Sequence, residues 1–269
     1  MRTEWLDHSS DALEMASMFG LALGRPSVLP LRPKDEDLLD QAEPFSFGAG
    51  RVGWSIGKGP VVLLVHGYSG RGVQMAALAR EIASHGFRAV FFDAGGHGAS
   101  RVEKIGFFTF INDTRDILAH LGAPVFAMAG HSAGGLAMMR ARALYGVTAE
   151  RYIVISAPLY PYVPLETMCS NGAKLESLEH VKAVLADQFQ TSWSALVRGT
   201  AYMPEPAKSL LAIYDIDDER VRHGDADSIC GIWPGAEVVK TIGYGHNRIL
   251  QAPETLQAVC NFLSSDQGE

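Results

Sequence analysis

The sequence predicts an α/β fold: a mainly parallel, doubly wound sheet with helices on both faces and a small helical insertion. Short β-branched runs alternate along the chain with stretches of helical spacing. Several of these runs, "PVVLLVHG" among them, lack polar alternation, as expected of strands covered on both faces. The chain has 269 residues, of which 47% are hydrophobic and 20% charged. A chain of this length can bury a large core and enclose a water-excluding site.

The predicted elements begin at about Phe45. The stretch "FSFGAGRVGWSI" predicts a hairpin that turns at residues 48–50. Strands and helices then alternate, as is typical of a parallel sheet. Their order is strand "PVVLLVHG", helix "GVQMAALAREIASHG", strand "FRAVFFDAGGHG", helix "FTFINDTRDILAHLG", strand "PVFAMAG", helix "AGGLAMMRARALYG", strand "RYIVISAP", strand "SLLAIYD", strand "AEVVKTI" and helix "PETLQAVCNFLSS".

The chain divides into four predicted segments. Residues 1–44 form a helical or linker segment whose last part, "LRPKDEDLLDQAEPF", is typical of an acidic linker. Residues 45–157 and 208–269 form the two parts of the α/β core. Residues 158–207 are too long for an ordinary crossover and rich in large side chains, so we expect them to form a helical cap.

Composition excludes several classes of protein. A net charge of −7 argues against binding of nucleic acid or anionic membranes. Three separated cysteines argue against a disulfide framework or a zinc cluster, and fit a reducing compartment. The N-terminus lacks the basic region of a signal peptide, and its most apolar stretch is too short to span a bilayer. We therefore expect a cytoplasmic protein with no transmembrane segment and no metal; a homo-oligomer is compatible with the sequence.

One motif suggests a dinucleotide cofactor but fails its context. Residues 48–53 match G-x-G-x-x-G, yet they lead into a strand instead of opening a helix after one. We therefore expect no cofactor. The loop "DAGGHGAS" after Asp93 is interpreted as structural, because tight glycine turns with local Asp and His hydrogen bonds are common.

Reactive residues follow several of the predicted strands, where ligands of parallel sheets bind. Gly130–Gly134 fits G-x-S-x-G between a buried strand and a helix, which predicts Ser132 as a nucleophile on a strained turn. A tight turn without chemistry, or a helix-capping serine, is the alternative. Serine needs a base, and His246 in the loop "GYGHNRIL" is the candidate.

The acid that orients the base should lie between nucleophile and base in the chain. The stretch "LLAIYDIDDERV" offers three carboxylates. Asp218 is favoured and Asp217 is the next candidate. Asp215 ranks last, because it follows the strand so soon that it should shape the turn.

Two further roles can be assigned. The backbone N–H groups of Tyr68, in the loop His66-Gly67-Tyr68, and of Ala133 are the predicted oxyanion donors. Aromatic and polar side chains near these segments are the candidates for substrate contact, and no Arg or Lys stands out as a carboxylate anchor. The substrate-binding candidates are Tyr68, His131, Tyr160, Phe189 and Trp193.

With these segments in this order, the chain resembles the serine esterase-like branch of the α/β-hydrolase fold family. The resemblance covers about Phe45 to Leu263 and rests on "LLVHGYSG", "FFDAGGHGAS", "AGHSAGG", "IYDIDDERV" and "GYGHNRIL". It implies Ser132 as nucleophile, His246 as base, a lid formed by the insertion, and Asp218 rather than Asp217 as the acid. Ser132 also sets the chain apart from branches with an aspartate nucleophile, the haloalkane dehalogenases and epoxide hydrolases.

The expected activity is that of a carboxylesterase- or lipase-like serine hydrolase. It would cleave a small-molecule ester or thioester through an acyl-enzyme. Acyl transfer, peptidase action and C–C bond hydrolysis are alternatives on the same fold. A non-catalytic binding module would be expected to lack a member of the triad, and none is missing.

Overall fold

The computed structural model describes residues 30–101, 105–122 and 124–265. Its strands are β1 Glu43–Phe47, β2 Arg51–Gly57, β3 Val61–Val65, β4 Arg88–Asp93, β5 Val125–His131, β6 Ala149–Ile155, β7 Ser209–Asp215 and β8 Glu237–Thr241. They form one sheet in the spatial order β1-β2-β4-β3-β5-β6-β7-β8. The pairs β1–β2 and β2–β4 are antiparallel, and all neighbours from β4 to β8 are parallel. The predicted fold class is confirmed.

Helices connect most of the parallel strands. They are α1 Pro33–Gln41, α2 Ala76–Ser84, α3 Phe107–Leu121, α4 Ser132–Tyr145, α5 Val163–Ser170, α6 Leu175–Gln188, α7 Trp193–Val197, α8 Asp225–Ile232, α9 Gly245–Arg248 and α10 Pro253–Ser264. Short 3-10 segments occupy residues 72–75, 200–202 and 249–251. Within the described ranges, no helix combines the length and the apolar character needed to cross a bilayer.

The sheet has a hydrophobic core on each face, which explains its continuous apolar strands. Along β3, Leu63 and Val65 pack with α3, α4 and α8, whereas Val62 and Leu64 pack with α1, α2 and α10. Side chains of a strand point alternately to opposite faces, so a strand covered on both sides has no exposed polar positions.

Two helices differ from the sequence prediction. The part predicted as an acidic linker contains α1, where Asp35 accepts hydrogen bonds from the backbone N–H and the side-chain Nε of Arg32 at 3.2 and 2.7 Å. Leu38 anchors this helix in the core. Helix α8 was not predicted, and its buried residues Ala226 and Ile229 stabilise it through tertiary packing. Residues 1–29 of the N-terminal segment lie outside the described residues.

The chain between β6 and β7 carries α5, α6 and α7. Arg140 on α4 donates a hydrogen bond from Nε to the carbonyl oxygen of Phe189 at 2.7 Å. The backbone N–H of Phe107 donates to Oε1 of Gln188 at 2.8 Å. These bonds tie the segment to α3 and α4. That it acts as a cap stays a prediction.

The parallel strands bring distant parts of the chain to one edge. β3 ends before His66, β5 ends before Ser132, β7 ends before Asp218, and β8 ends before His246. Because parallel strands share one direction, their carboxyl ends lie at the same edge of the sheet. Four of the predicted reactive segments therefore meet there.

Candidate active site

Ser132 lies on a strained turn between β5 and α4. Its φ is +51°, a value that residues other than glycine seldom adopt. The turn is closely packed: a Cβ on Gly134 would lie 2.0 Å from the carbonyl oxygen of His66, and one on Gly130 would lie 2.5 Å from the Cα of Gly135. The sequence at this turn thus supplies glycine where strand, helix and neighbouring loop approach most closely.

Ser132, His246 and Asp218 form a continuous chain of hydrogen-bond contacts. The Oγ of Ser132 is 3.0 Å from Nε2 of His246, and Nδ1 of His246 is 2.8 Å from Oδ2 of Asp218. The Asp218 side chain is fully buried and that of His246 is 10% exposed. With a proton on Nδ1, the imidazole would donate to the carboxylate and present Nε2 as an acceptor for the serine hydroxyl.

The second carboxylate oxygen of Asp218 is held by its own loop. Oδ1 accepts hydrogen bonds from the backbone N–H groups of Arg220 at 2.8 Å and Val221 at 3.0 Å. Burial alone would raise the pKa of Asp218, but the bond from His246 and these backbone donors hold the pKa below its usual value. Asp218 therefore stays ionised beside the imidazole.

The other two carboxylates of this stretch support the histidine loop. Asp215 accepts from the backbone N–H groups of Asp217 and Gly245 on Oδ1, and from Thr241 and the N–H of Tyr244 on Oδ2, at 2.7 to 3.2 Å. Asp217 accepts from the N–H of Gly243 at 2.9 Å. Asp215 thus shapes the turn, as the sequence predicts.

His131, the residue before Ser132, links two loops of the site. Its Nε2 is 2.8 Å from the carbonyl oxygen of His246, and the two rings pack with centroids 4.8 Å apart. A Cβ on Gly67 would lie 2.8 Å from its Nδ1. Burial, reinforced by the nearby His246, lowers the pKa of His131 to about 3. The neutral ring can therefore donate from Nε2 to the base loop.

The loop after β3 lies directly beside Ser132. A Cβ on Gly67 would be 3.2 Å from the Cβ of Ser132. His66 fixes this loop: its Nε2 accepts from the N–H of Ala94 at 3.0 Å, and its Nδ1 contacts the carbonyl oxygen of Gly67 at 2.7 Å. Burial lowers the pKa of His66 to about 4, so it stays neutral. Tyr68 follows and lines the cavity at Ser132.

The G-x-G-x-x-G motif at residues 48–53 and the loop after Asp93, neither of which was predicted to bind a ligand, have structural roles. Residues 48–50 form the turn between β1 and β2, which are antiparallel. Asp93 accepts from the backbone N–H of Gly72 at 2.6 Å and of Ala99 at 2.7 Å. It therefore organises two loops.

A cavity of about 170 Å³ opens at Ser132. Its lining includes Tyr68, His131, Ala133 and His246 of the predicted site. It also includes residues that the sequence prediction missed. These are Gly67, Ser69, Phe107, Pro158, Pro161, Val163, Pro164, Thr167, Arg220 and Asn247.

Three predicted substrate contacts do not line this cavity: Tyr160, Phe189 and Trp193. Phe189 is fully buried and packs on the ring of Phe107, with centroids 4.8 Å apart. The rings of Tyr160 and Trp193 pack edge to face at 5.7 Å. These aromatics pack against other rings within or beside the segment between β6 and β7, and their role as substrate contacts stays a prediction.

A larger cavity, of about 830 Å³, lies elsewhere on the molecule. It is lined by Arg151, Ser209 and Glu237, which stand at or near the beginnings of β6, β7 and β8. Ligand sites of parallel sheets lie at the carboxyl ends of strands. The smaller cavity, which contains Ser132 and His246, is therefore the candidate active site.

One group of side chains has the composition of a metal site. Glu81 on α2, His85 directly after that helix and Cys260 on α10 bring potential ligand atoms within 4.8 Å of one another. Thiolate is the form of cysteine that binds metals. Burial raises the pKa of Cys260 to about 11, which disfavours that form. None of the three lines the cavity at Ser132.

Comparison with known proteins adds a family and a fold. Residues 58–231 match the family model described as Serine aminopeptidase, S33. A thermophilic esterase from Thermogutta terrifontis superimposes with a TM-score of 0.58 at 18% identity, covering 83% of this chain and 98% of that one. At this identity the superposition establishes the fold.

Two relatives match shorter segments. A Haemophilus influenzae protein, provisionally named as an esterase/lipase, is 30% identical over 104 residues, which are 38% of this chain and 36% of that protein. A human serine hydrolase-like protein is 28% identical over 139 residues, which are 50% of this chain and 68% of that protein. The match thus spans about a third of the first relative's length.

Proposed function

This chain belongs to the α/β-hydrolase family whose model is described as Serine aminopeptidase, S33, and we propose that it is a serine esterase. Its esterase and serine hydrolase-like relatives support hydrolase activity. The proposed substrates are small carboxylic esters or thioesters. The observation that carries the proposal is the contact of Ser132 Oγ with His246 Nε2 at 3.0 Å, in line with Asp218 at 2.8 Å from Nδ1.

In the proposed reaction Ser132 Oγ attacks the substrate carbonyl carbon while Nε2 of His246 takes the hydroxyl proton. Asp218 stabilises the imidazolium that forms. Collapse of the tetrahedral intermediate breaks the bond to the leaving group, which receives the proton from His246. Water then attacks the acyl-enzyme, again losing a proton to His246, and releases the acid and the free serine.

The N–H groups of Tyr68 and Ala133 are the proposed donors to the oxyanion. Ala133 is in the first turn of α4, where N–H groups lack an intrahelical acceptor. Gly67, which precedes Tyr68, lies close to Ser132, so the backbone leading to Tyr68 runs beside the nucleophile. Donors in such positions act on the charge that develops in the transition state.

We propose that residues 158–207 act as a cap. Pro158, Pro161, Val163, Pro164 and Thr167, from the start of this segment, line the cavity at Ser132. Proline side chains have no rotamer freedom to lose on burial, so they form a pre-organised apolar wall. A wall of this kind would accept the hydrocarbon part of an acyl or alcohol group.

Peptidase action is the second candidate, because the matching family model is described as a serine aminopeptidase. An aminopeptidase must bind the free ammonium group of its substrate, for which a carboxylate is the usual partner. Within the described part of the chain, no Asp or Glu lines the cavity. The cavity therefore favours an ester substrate.

The test is a series of para-nitrophenyl esters of increasing acyl length, assayed with wild type and Ser132→Ala. Wild type should release nitrophenol, fastest with short acyl groups because the cavity is small. Ser132→Ala should lose at least about a thousandfold in kcat, as expected when a nucleophile is removed.

Ser156→Ala is the matched control. Ser156 also has a positive φ, at +45°, but it is buried and does not line the cavity. Its variant should retain hydrolysis. Equal rates for wild type and Ser132→Ala would contradict the proposal, and cleavage of aminoacyl anilides in preference to esters would favour the peptidase.

A further inference from the structure

Building on the proposed function, we propose that Arg220 binds a carboxylate group of the substrate. The preferred substrates are then small esters that carry a second, ionised carboxyl group, such as monoesters of short dicarboxylic acids. This inference names the substrate class of the site and can fail while ester hydrolysis stands.

Arg220 gives the cavity its charge. Its side chain is exposed, and it lines the same cavity as Ser132 and His246. Within the described residues, the lining contains no Asp, Glu or Lys, and Arg220 is its only arginine. A protein with a net charge of −7 thus presents a positively charged side chain at its candidate active site. This charge would attract anionic substrates and orient them.

The backbone of Arg220 is fixed relative to the catalytic groups. Its N–H donates to Oδ1 of Asp218 at 2.8 Å, and the next residue, Val221, donates to the same oxygen and is buried. The other oxygen of Asp218 contacts His246. Only the arginine side chain is therefore left to adjust to a ligand, which limits the entropy lost on binding.

The guanidinium group has no protein partner among the residues that the structure describes. No ion pair or side-chain hydrogen bond involves it, whereas Arg222, two residues later, pairs with Glu166 and lies 4.5 Å from the ring centroid of Tyr162. A guanidinium group binds a carboxylate through two parallel hydrogen bonds. Arg220 is therefore the arginine of this loop that remains available to a ligand.

The cavity favours a carboxylate over a phosphate. A phosphate monoester carries close to two negative charges at neutral pH and usually engages several donors or cations. A single arginine matches the single charge of a carboxylate. The volume of about 170 Å³ also lies below the roughly 300–1,000 Å³ typical of pockets for drug-sized ligands, which indicates a short chain between the ester and the carboxylate.

The test compares methyl esters that differ in one group. Monomethyl succinate, glutarate and adipate are each paired with the ester in which a neutral carboxamide replaces the free carboxylate. Methanol release, followed by NMR, gives kcat/KM for each pair. For at least one chain length, wild type should favour the carboxylate by about tenfold or more, the effect of one charge-assisted hydrogen-bonding pair.

The variants assign this preference to a residue. Arg220→Gln should bring the ratio of carboxylate to carboxamide close to one, and Arg220→Lys should restore part of it. Arg222→Gln removes the same charge from the same loop outside the cavity, so it should retain the wild-type ratio. A carboxylate-to-carboxamide ratio of kcat/KM near one in wild type, or a ratio that Arg220→Gln leaves unchanged, would overturn the inference. Turnover of the carboxamide esters would still leave the esterase proposal intact.

Failure of the proposed function would have a separate signature. If wild type cleaves none of these esters and no para-nitrophenyl ester, the esterase proposal is wrong. Calorimetric binding of monomethyl glutarate to Ser132→Ala then decides the role of Arg220. Binding that is lost in Ser132→Ala/Arg220→Gln supports the anchor, and binding that is absent or unchanged contradicts it.

Discussion

Asp217 and Asp218 are adjacent in the chain but have different partners. Asp218 contacts Nδ1 of His246 at 2.8 Å, and Asp217 accepts from the backbone N–H of Gly243 at 2.9 Å. The sequence alone leaves both as candidates for the acid. The distances favour Asp218, and the difference between the two positions can be measured in kinetics.

Asp218→Asn should reduce kcat for ester hydrolysis by about 10³–10⁴-fold. The neutral amide lacks the negative charge that stabilises the imidazolium. Its NH2 group can also donate to Nδ1, which favours the wrong imidazole tautomer. Asp217→Asn is the matched control, because its amide oxygen can still accept from Gly243. Kinetics of both variants, with thermal unfolding to verify the fold, check this. Similar losses in the two variants would contradict the assignment of the acid.

At this scale the sequence predicts the reactive residues better than the binding residues. Ser132 and His246 belong to motifs with defined neighbours, so their closeness could be anticipated from chain order and strand ends. Arg220 lies within the motif "IYDIDDERV", but the motif does not show which way its side chain points, because the direction of a loop side chain depends on the path of the whole loop. Composition also does not distinguish a packed aromatic ring from one that faces a cavity, and the predicted contacts Phe189 and Trp193 do not line the cavity at Ser132.

Among the elements, the turn between β5 and α4 is closely packed against a neighbouring loop. It brings α4 so close to the loop after β3 that a methyl group on Gly134 would lie 2.0 Å from the carbonyl oxygen of His66. Backbone atoms cannot move aside as a flexible side chain can. Any added atom must therefore separate the helix from the loop that leads to Tyr68.

Gly134→Ala should lower the free energy of unfolding by about 2 kcal/mol or more, as overpacking does, and reduce ester hydrolysis. Gly231→Ala provides the comparison: Gly231 is also helical, and a Cβ there would meet no atom within 4 Å. That variant should be neutral or more stable by about 0.5–1 kcal/mol. Denaturant unfolding measures both, and equal stabilities would show that the turn is not closely packed.

Elements with strong patterns could be predicted and those held by tertiary contacts could not. β3 is apolar throughout and β5 is apolar up to Gly130, as expected of strands with both faces covered, and this pattern is visible in the sequence. Helix α8, "DADSICGI", contains Gly and Cys and few good helix formers, and it depends on the burial of Ala226 and Ile229. Local propensity is a weak guide to such a helix.

In the whole molecule, the sheet brings together groups that are far apart in the chain. Ser132 and His246 are 114 residues apart, and Asp218 and His246 are 28 apart. The alternation of strands and helices predicts a parallel sheet and therefore a shared edge. It does not predict the contacts of the segment between β6 and β7, which follow no repeating pattern.

The central claim is that Ser132 is a nucleophile activated by His246, and labelling with a fluorophosphonate tests it most directly. The native protein should take up one label, located on Ser132 by mass spectrometry, and lose it in Ser132→Ala. His246→Ala should slow the labelling strongly, because the hydroxyl then lacks its base. A folded protein that stays unlabelled, or that carries the label on another residue such as Ser69 or Ser156, would contradict the account.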